Sequence, residues 1–139
     1  MNIIAIYAAP RTPTDTLGQI INSIFNEKRH STRTVIAADL NAHHTMWGND
    51  WDDAKGKMLA EAINESHFLL LHNNEHTFIP TDRQKRSSAI DLTAISEDIA
   101  GSSSRTVLDT HIGATIHKTI ITTIEGPKRQ HKETRLDHK

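Results

Sequence analysis

The chain has 139 residues, 16 Lys and Arg against 17 Asp and Glu for a formal net charge of −1, and 36% hydrophobic residues. That length fits one domain or part of one, and so low an apolar content predicts an incomplete core. The absence of cysteine excludes a disulfide framework and a thiolate zinc site and suits an intracellular protein.

Met1 to Pro13 carries a short apolar run without a basic leader, and no later run approaches membrane-spanning length. Neither a signal peptide nor a transmembrane helix is expected, and a soluble chain with no membrane partner is the reading. Within this segment Asn2 to Tyr7 is rich in β-branched residues and reads as a strand closed by Pro10 and Pro13. Leu17, Ile20, Ile21, Ile24 and Phe25 then recur at helical spacing, with Thr14 or Asp15 available as N-cap. Arg33 to Leu40 is a second strand, and the order strand, helix, strand favours a crossover in an α/β layered fold.

That second strand climbs through Val35, Ile36, Ala37 and Ala38 into Asp39 and Asn41, then into His43, His44, Trp47 and Gly48. If the strand runs on through them, Asp39 and Asn41 lie two apart on one face, where a carboxylate and an amide could converge on one phosphate or one water. Asp and Asn after a strand are equally the residues of a turn that bonds its own backbone. Trp47 and Gly48 read as packing that fixes the loop.

Asp52 or Asp53 can cap a second helix with Leu59, Ala62, Ile63 and Ser66 as its buried stripe. Phe68 to Leu71 and Thr77 to Ile79 follow as short strands, the latter ended by Pro80. Asp82 to Ser88 is a charged loop with Arg83, Lys85 and Arg86 clustered. Ala89 to Ile95 is a strand with Asp91 in its middle, and an acid there needs a partner, because an unpaired buried carboxylate is costly. Gly101 to Ser104 reads as a turn, Thr106 to Asp109 as a short strand, and Lys118 to Ile124 as a last β-branched strand preceded by His117. From Gly126 on there is no apolar periodicity, and Lys128, Arg129, Lys132, Arg135 and Lys139 outnumber Glu133 and Asp137. Residues 1–125 therefore read as the domain and 126–139 as a basic disordered tail.

Four motifs carry a resemblance: Ile6-Tyr7-x-x-Pro10; Asp39-Leu40-Asn41-Ala42-His43-His44-x-x-Trp47-Gly48; Ser88-x-Ile90-Asp91-Leu92-Thr93; and His117 opening the final apolar strand. In this order they resemble the endonuclease/exonuclease/phosphatase superfamily. The Asn-Ala-His-His-x-x-Trp-Gly form is most similar to the endonuclease domains of insect-type non-LTR retrotransposons. The likeness runs to about Ile124. It implies an α/β fold, a two-layered β-sandwich flanked by helices, together with a divalent cation, usually Mg²⁺, cleavage of phosphodiester bonds in DNA, and a nuclear location.

Carried onto this chain, the resemblance implies Tyr7 beside the scissile phosphate and Asp39 orienting or deprotonating the attacking water. Asn41 would hold a phosphate oxygen, and Asp91 and His117 would pair so that the carboxylate fixes the imidazole. Those roles suit phosphoryl chemistry, which needs an activated water, stabilisation of developing negative charge and an oriented His.

Two departures stand against full activity. The family's final His follows an Asp, where this chain has Ile116. The family also opens with two further strands bearing an Asn and the principal metal-binding Glu, whereas here the Tyr-bearing strand comes first. Asp39 then remains as the main ligand of an incomplete metal site. The expectation is a partial endonuclease domain, weak or inactive, with an exposed sheet edge open to self-association. The alternatives are a non-catalytic remnant that binds nucleic acid or protein, and a zinc site drawing on His43, His44, His111 and His117.

Overall fold

In the computed structural model, residues 1–110 and 116–126 are described. The expected tail beyond Gly126, and His111 of the zinc alternative, lie outside them. The order of elements is β1 (Asn2–Tyr7), α1 (Thr14–Phe25), β2 (Thr34–Asp39), α2 (Ala54–Asn64), β3 (Phe68–Leu71), β4 (Asp91–Ser96), α3 (Glu97–Ala100), β5 (Ser103–Val107) and β6 (Ile120–Ile124). A four-stranded sheet runs β1-β2-β4-β3, and β5 and β6 pair antiparallel as a second sheet. β1 and β2 are parallel, joined through α1 as the crossover required, while β4 is antiparallel to both β2 and β3.

Alternation along the strands sends one set of side chains to each face. Ile36, Ala38, Leu92 and Ala94 face α1 and α2, where Leu17, Ile21, Leu59, Ala60 and Ile63 are buried with them. Phe25 stacks on Phe68 with ring centroids 5.0 Å apart, closing that core. Each such Leu or Ile side chain taken from water is worth about 1.5–3 kcal/mol. The opposite face carries Val35 and Ile95, which pack with Leu71, Ile99 and Ile124 in a smaller cluster toward the second sheet. That cover is partial: on β1, Ile3 and Tyr7 are each 72% exposed.

Several boundaries differ from the reading of the bare chain. Pro13, not Thr14 or Asp15, occupies the N-cap of α1 and makes no side-chain cap bond. Ile20, assigned to the buried stripe by its spacing, is 44% exposed, because the sheet meets α1 along Leu17 and Ile21. Ser66 falls beyond the end of α2; its hydroxyl donates to the Ile63 carbonyl instead.

Thr77 to Ile79 is not a ladder. Phe78 makes isolated bridges to Ser88 and His117 and so ties two segments together. The strand expected from Ala89 begins at Asp91, which puts the acid at its mouth rather than its middle. Ser103 and Ser104, expected in a turn, are in β5, and α3 was not foreseen at all; four residues are too few to carry a periodicity.

Asp53 caps α2 as expected, accepting from the Gly56 N–H at 2.7 Å. Gly56 is itself a requirement, since a Cβ there would collide with the backbone carbonyl of His43. Gly18 in α1 has only ordinary contacts, to the Met58 side chain at 3.7 Å. Gly18→Ala should therefore stabilise the chain by up to about 1 kcal/mol through lower unfolded-state entropy. Gly56→Ala should destabilise it by more than about 2 kcal/mol by displacing the His43 loop. Urea denaturation of the two variants checks the opposite signs.

Candidate active site

The register of the large sheet assembles the site. Tyr7 at the end of β1 is the neighbour of Asp39 at the end of β2, and Asp39 is the neighbour of Asp91 at the start of β4. Residues side by side in adjacent strands point to the same face, so one row reads Tyr7, Asp39, Asp91. His117 approaches from the segment before β6, and its Nδ1 donates to Oδ2 of Asp91 at 2.9 Å. The ring is also set edge-on against Phe78, centroids 5.2 Å apart, where the backbones of the two residues bridge. The carboxylate on β4 thus has the partner its position demands.

Asn41 reaches the row by a different route from the one its spacing suggested. β2 stops at Asp39, and Asn41 takes φ of 46°, a left-handed conformation that Asn tolerates better than most residues. Its amide nitrogen donates to the Ala8 carbonyl at 2.8 Å and to Asp39 Oδ1 at 3.2 Å, and its backbone N–H to the same Oδ1 at 3.3 Å. The turn reading of this pair is therefore the one the backbone shows. The turn itself delivers the amide to the carboxylate.

Burial raises the Asp39 carboxyl above its ordinary value of 3.8, and the neighbouring charge of Asp91 pushes the same way. The Asn41 N–H and the charge of His117 oppose them without prevailing.

Asp91 is supported from below by residues that no motif marked. The buried Thr77 hydroxyl accepts from the Asp91 N–H at 3.2 Å. Arg105 donates to the Asp91 carbonyl at 2.7 Å. Asn49 clamps the approach to β4, giving and taking bonds with the Ala89 backbone at 2.9 and 2.8 Å. A Thr, an Arg and an Asn have no fixed spacing to Asp91 in the chain, so no pattern search would have found them.

Ligand atoms of Asp39, Asp91 and His117 all lie within 4.8 Å of one another, the set among the described residues able to hold a metal ion. Two carboxylates and an imidazole suit a small hard cation that completes its shell with water and phosphate oxygens. The raised Asp39 carboxyl comes first from burial and second from the neighbouring Asp91, and a divalent ion would relieve the second of these.

Among the described residues, His43 and His44 do not come together as zinc ligands. Nδ1 of His43 is bonded to Asp53 at 2.6 Å, with the ring stacked on Trp51, and Nδ1 of His44 accepts from the Met46 N–H. The two adjacent side chains serve opposite ends of one loop. Trp47 is buried, with its indole N–H on the Ala42 carbonyl, and Gly48 turns at φ of 99°.

A family model described as endonuclease-reverse transcriptase matches residues 1–121. Among solved structures, the chain is similar to the endonuclease domain of TRAS1, a telomere-specific non-LTR retrotransposon, at 25% identity and a TM-score of 0.77. The match covers 88% of this chain and 56% of that one, so the chain spans just over half the length of its structural relative. No curated protein sequence matches it. The two sheets and flanking helices are those of the endonuclease/exonuclease/phosphatase fold.

Asp39 holds its proton more firmly in the folded chain than in the unfolded one. Folding stability therefore falls as pH rises from 3.8 through the raised value. Asp39→Asn should remove that slope and melt at a temperature higher by roughly 1–4 °C at pH 7, the gain vanishing below the ordinary carboxylate value. Thermal melts of both proteins across pH 3 to 7 are the measurement (about 0.5-unit steps suffice). A lower melting temperature for the variant at neutral pH contradicts it.

Proposed function

The chain belongs to the endonuclease-reverse transcriptase family, and from that premise we propose that it is part of a metal-dependent endonuclease that hydrolyses phosphodiester bonds in DNA. The observation that carries the reading is the row Tyr7, Asp39, Asp91 with His117 bonded to its last member. In this reading Asp39 is the group that orients and deprotonates the attacking water. Its raised carboxyl makes it a stronger base than an ordinary carboxylate.

Asn41 uses its side-chain N–H bonds on Ala8 and Asp39, so its part is to hold Asp39 in place, and the phosphate falls to other donors. Tyr7, largely exposed at the end of the row, is the hydroxyl beside the scissile phosphate. Asp91 keeps the His117 imidazole in one orientation beside the phosphate, where negative charge develops.

Asp39, Asp91 and His117 would hold the divalent ion, Mg²⁺ in our reading, and when bound it supplies positive charge to the phosphate oxygens and acidifies water. Three side-chain ligands and an Ile at position 116, where the family has an Asp, argue for weak cleavage. DNA as substrate and a nuclear location follow from the same premise.

Incubation with supercoiled plasmid tests the proposal. Slow nicking with Mg²⁺ is expected, abolished by chelator and reduced at least about a hundredfold by Asp39→Ala. DNA binding without any nicking would favour the non-catalytic remnant instead.

The partly covered face of the large sheet leads to a second outcome. Ile3 and Tyr7 on β1 are open to solvent there. We expect two copies to associate through this face. Sedimentation should give a mass that rises with concentration, and Ile3→Lys should return it to the monomer; a monomer at every concentration contradicts this.

A further inference from the structure

Beneath Asp91 lies a charged group that none of these roles uses. Arg105 on β5 is the register neighbour of Thr122 on β6. Thr122 and Ile120, with Asp39, Asp91 and Thr93 from the large sheet, line a cleft of about 280 Å³ between the two sheets. Arg105 gives Nη2 to the backbone carbonyl of Asp91 at 2.7 Å and Nη1 to Oδ1 of Asn73 at 2.9 Å. Asn73 is in turn tied to Glu75, its amide donating to Oε1 at 2.7 Å. The Arg105 Nε is buried without a hydrogen-bond partner.

A guanidinium set between two sheets is costly when it is not fully paired, and an aliphatic residue would fill the same space more cheaply. Burial does draw its pKa down, and the charges of Asp91 and Glu75 resist that pull. The position makes sense if the charge and the fork are needed where they stand. One prong grips the carbonyl of the residue that holds His117. The other is anchored on a segment packed against the Gly48 turn, where a Cβ on Gly48 would lie 2.6 Å from the Asn74 Cα.

We infer that Arg105 is a positioning residue for the Asp91–His117 pair: anchored by Asn73, its guanidinium fixes the first peptide of β4 and sets a positive charge beside the carboxylate that Asp39 must stand next to. This rests on the reading of that cluster as the cleavage site, and Arg105 acts through Asp91 without touching the substrate. Fixing the peptide keeps Oδ2 of Asp91 aimed at the imidazole, and the charge offsets the repulsion inherent in two neighbouring acids.

The test uses Arg105→Met and Asn73→Ala in the full chain, with two readouts. The first is exchange with water of the His117 Nδ1 proton, followed in nitrogen-15 labelled protein. The second is plasmid nicking, resolved into the rate at saturating DNA and the DNA concentration giving half that rate. Arg105→Met should speed ring-proton exchange about tenfold and lower the saturating rate about tenfold, with the half-saturating concentration unchanged.

Unchanged exchange in the folded variant overturns the inference. So does a raised half-saturating concentration at an unchanged rate, since that would make Arg105 a DNA contact. If Arg105→Met does not fold, Asn73→Ala decides. Asn73 is exposed, and losing it should speed exchange about threefold, while unaltered protection overturns the inference. If the parent chain proves unable to nick DNA, the cleavage reading fails, yet the proton-exchange readout still decides whether Arg105 positions the pair.

Discussion

The antiparallel register between β2 and β4 is the constraint on which the remaining features depend. It sets Asp39 opposite Asp91, two carboxylates on one face of a sheet, an arrangement that hydrophobic packing alone would select against. The same ladder places Ala38 beside Leu92 and Ile36 beside Ala94 on the face toward the helices. A slip of one residue by β2 would bury Asp39 under α1 and α2 and turn Ile36 and Ala38 to the cleft. The burial of the helix face therefore enforces the proximity of the acids, and the repulsion between them is offset by the core beneath.

Around that row the chain invests mainly in rigidity. The loop after β2 is held at several points by groups that resemble catalytic residues but serve the backbone. Asp53 accepts from the backbone of Gly56 and His43 and from the His43 ring. Burial works to raise its carboxyl, but these bonds together with the charge of His43 prevail and lower it. Asp52 accepts from the Thr45 N–H at 2.8 Å. His76 bridges the Gly48 carbonyl and the Ser87 hydroxyl, joining this loop to the basic segment before β4. Asn49 closes the frame on Ala89. A phosphodiester site gains from such bracing, because small displacements of an orienting group are costly in rate.

Much of the fold could be read along the chain because its elements are local in cause. β1, α1, β2 and the capped start of α2 follow from alternation, helical spacing and an Asp three residues before a Gly. Where the reading slipped, the reason lay in a partner distant in sequence. Thr77 to Ile79 has strand composition, yet it finds only single bridges to Ser88 and His117. β5 starts earlier than its composition suggests because Ser103 and Ser104 pair with Ile124 and Thr123. Ile20 has the right spacing for a core residue and is exposed only because the sheet lies under the neighbouring positions.

Tyr7 and His117 were marked only by the resemblance to a family, whereas Asp39 and Asn41 were legible in the sequence itself as polar groups after an apolar run. So was the need of Asp91 for a partner. What the sequence could not determine is the geometry that makes them one group. The left-handed turn at Asn41, the row shared by Tyr7, Asp39 and Asp91, and the support of Thr77, Asn49 and Arg105 all depend on which strands lie side by side. Pairing of that kind is selected by burial summed over the whole sheet, a quantity that no single stretch of chain contains.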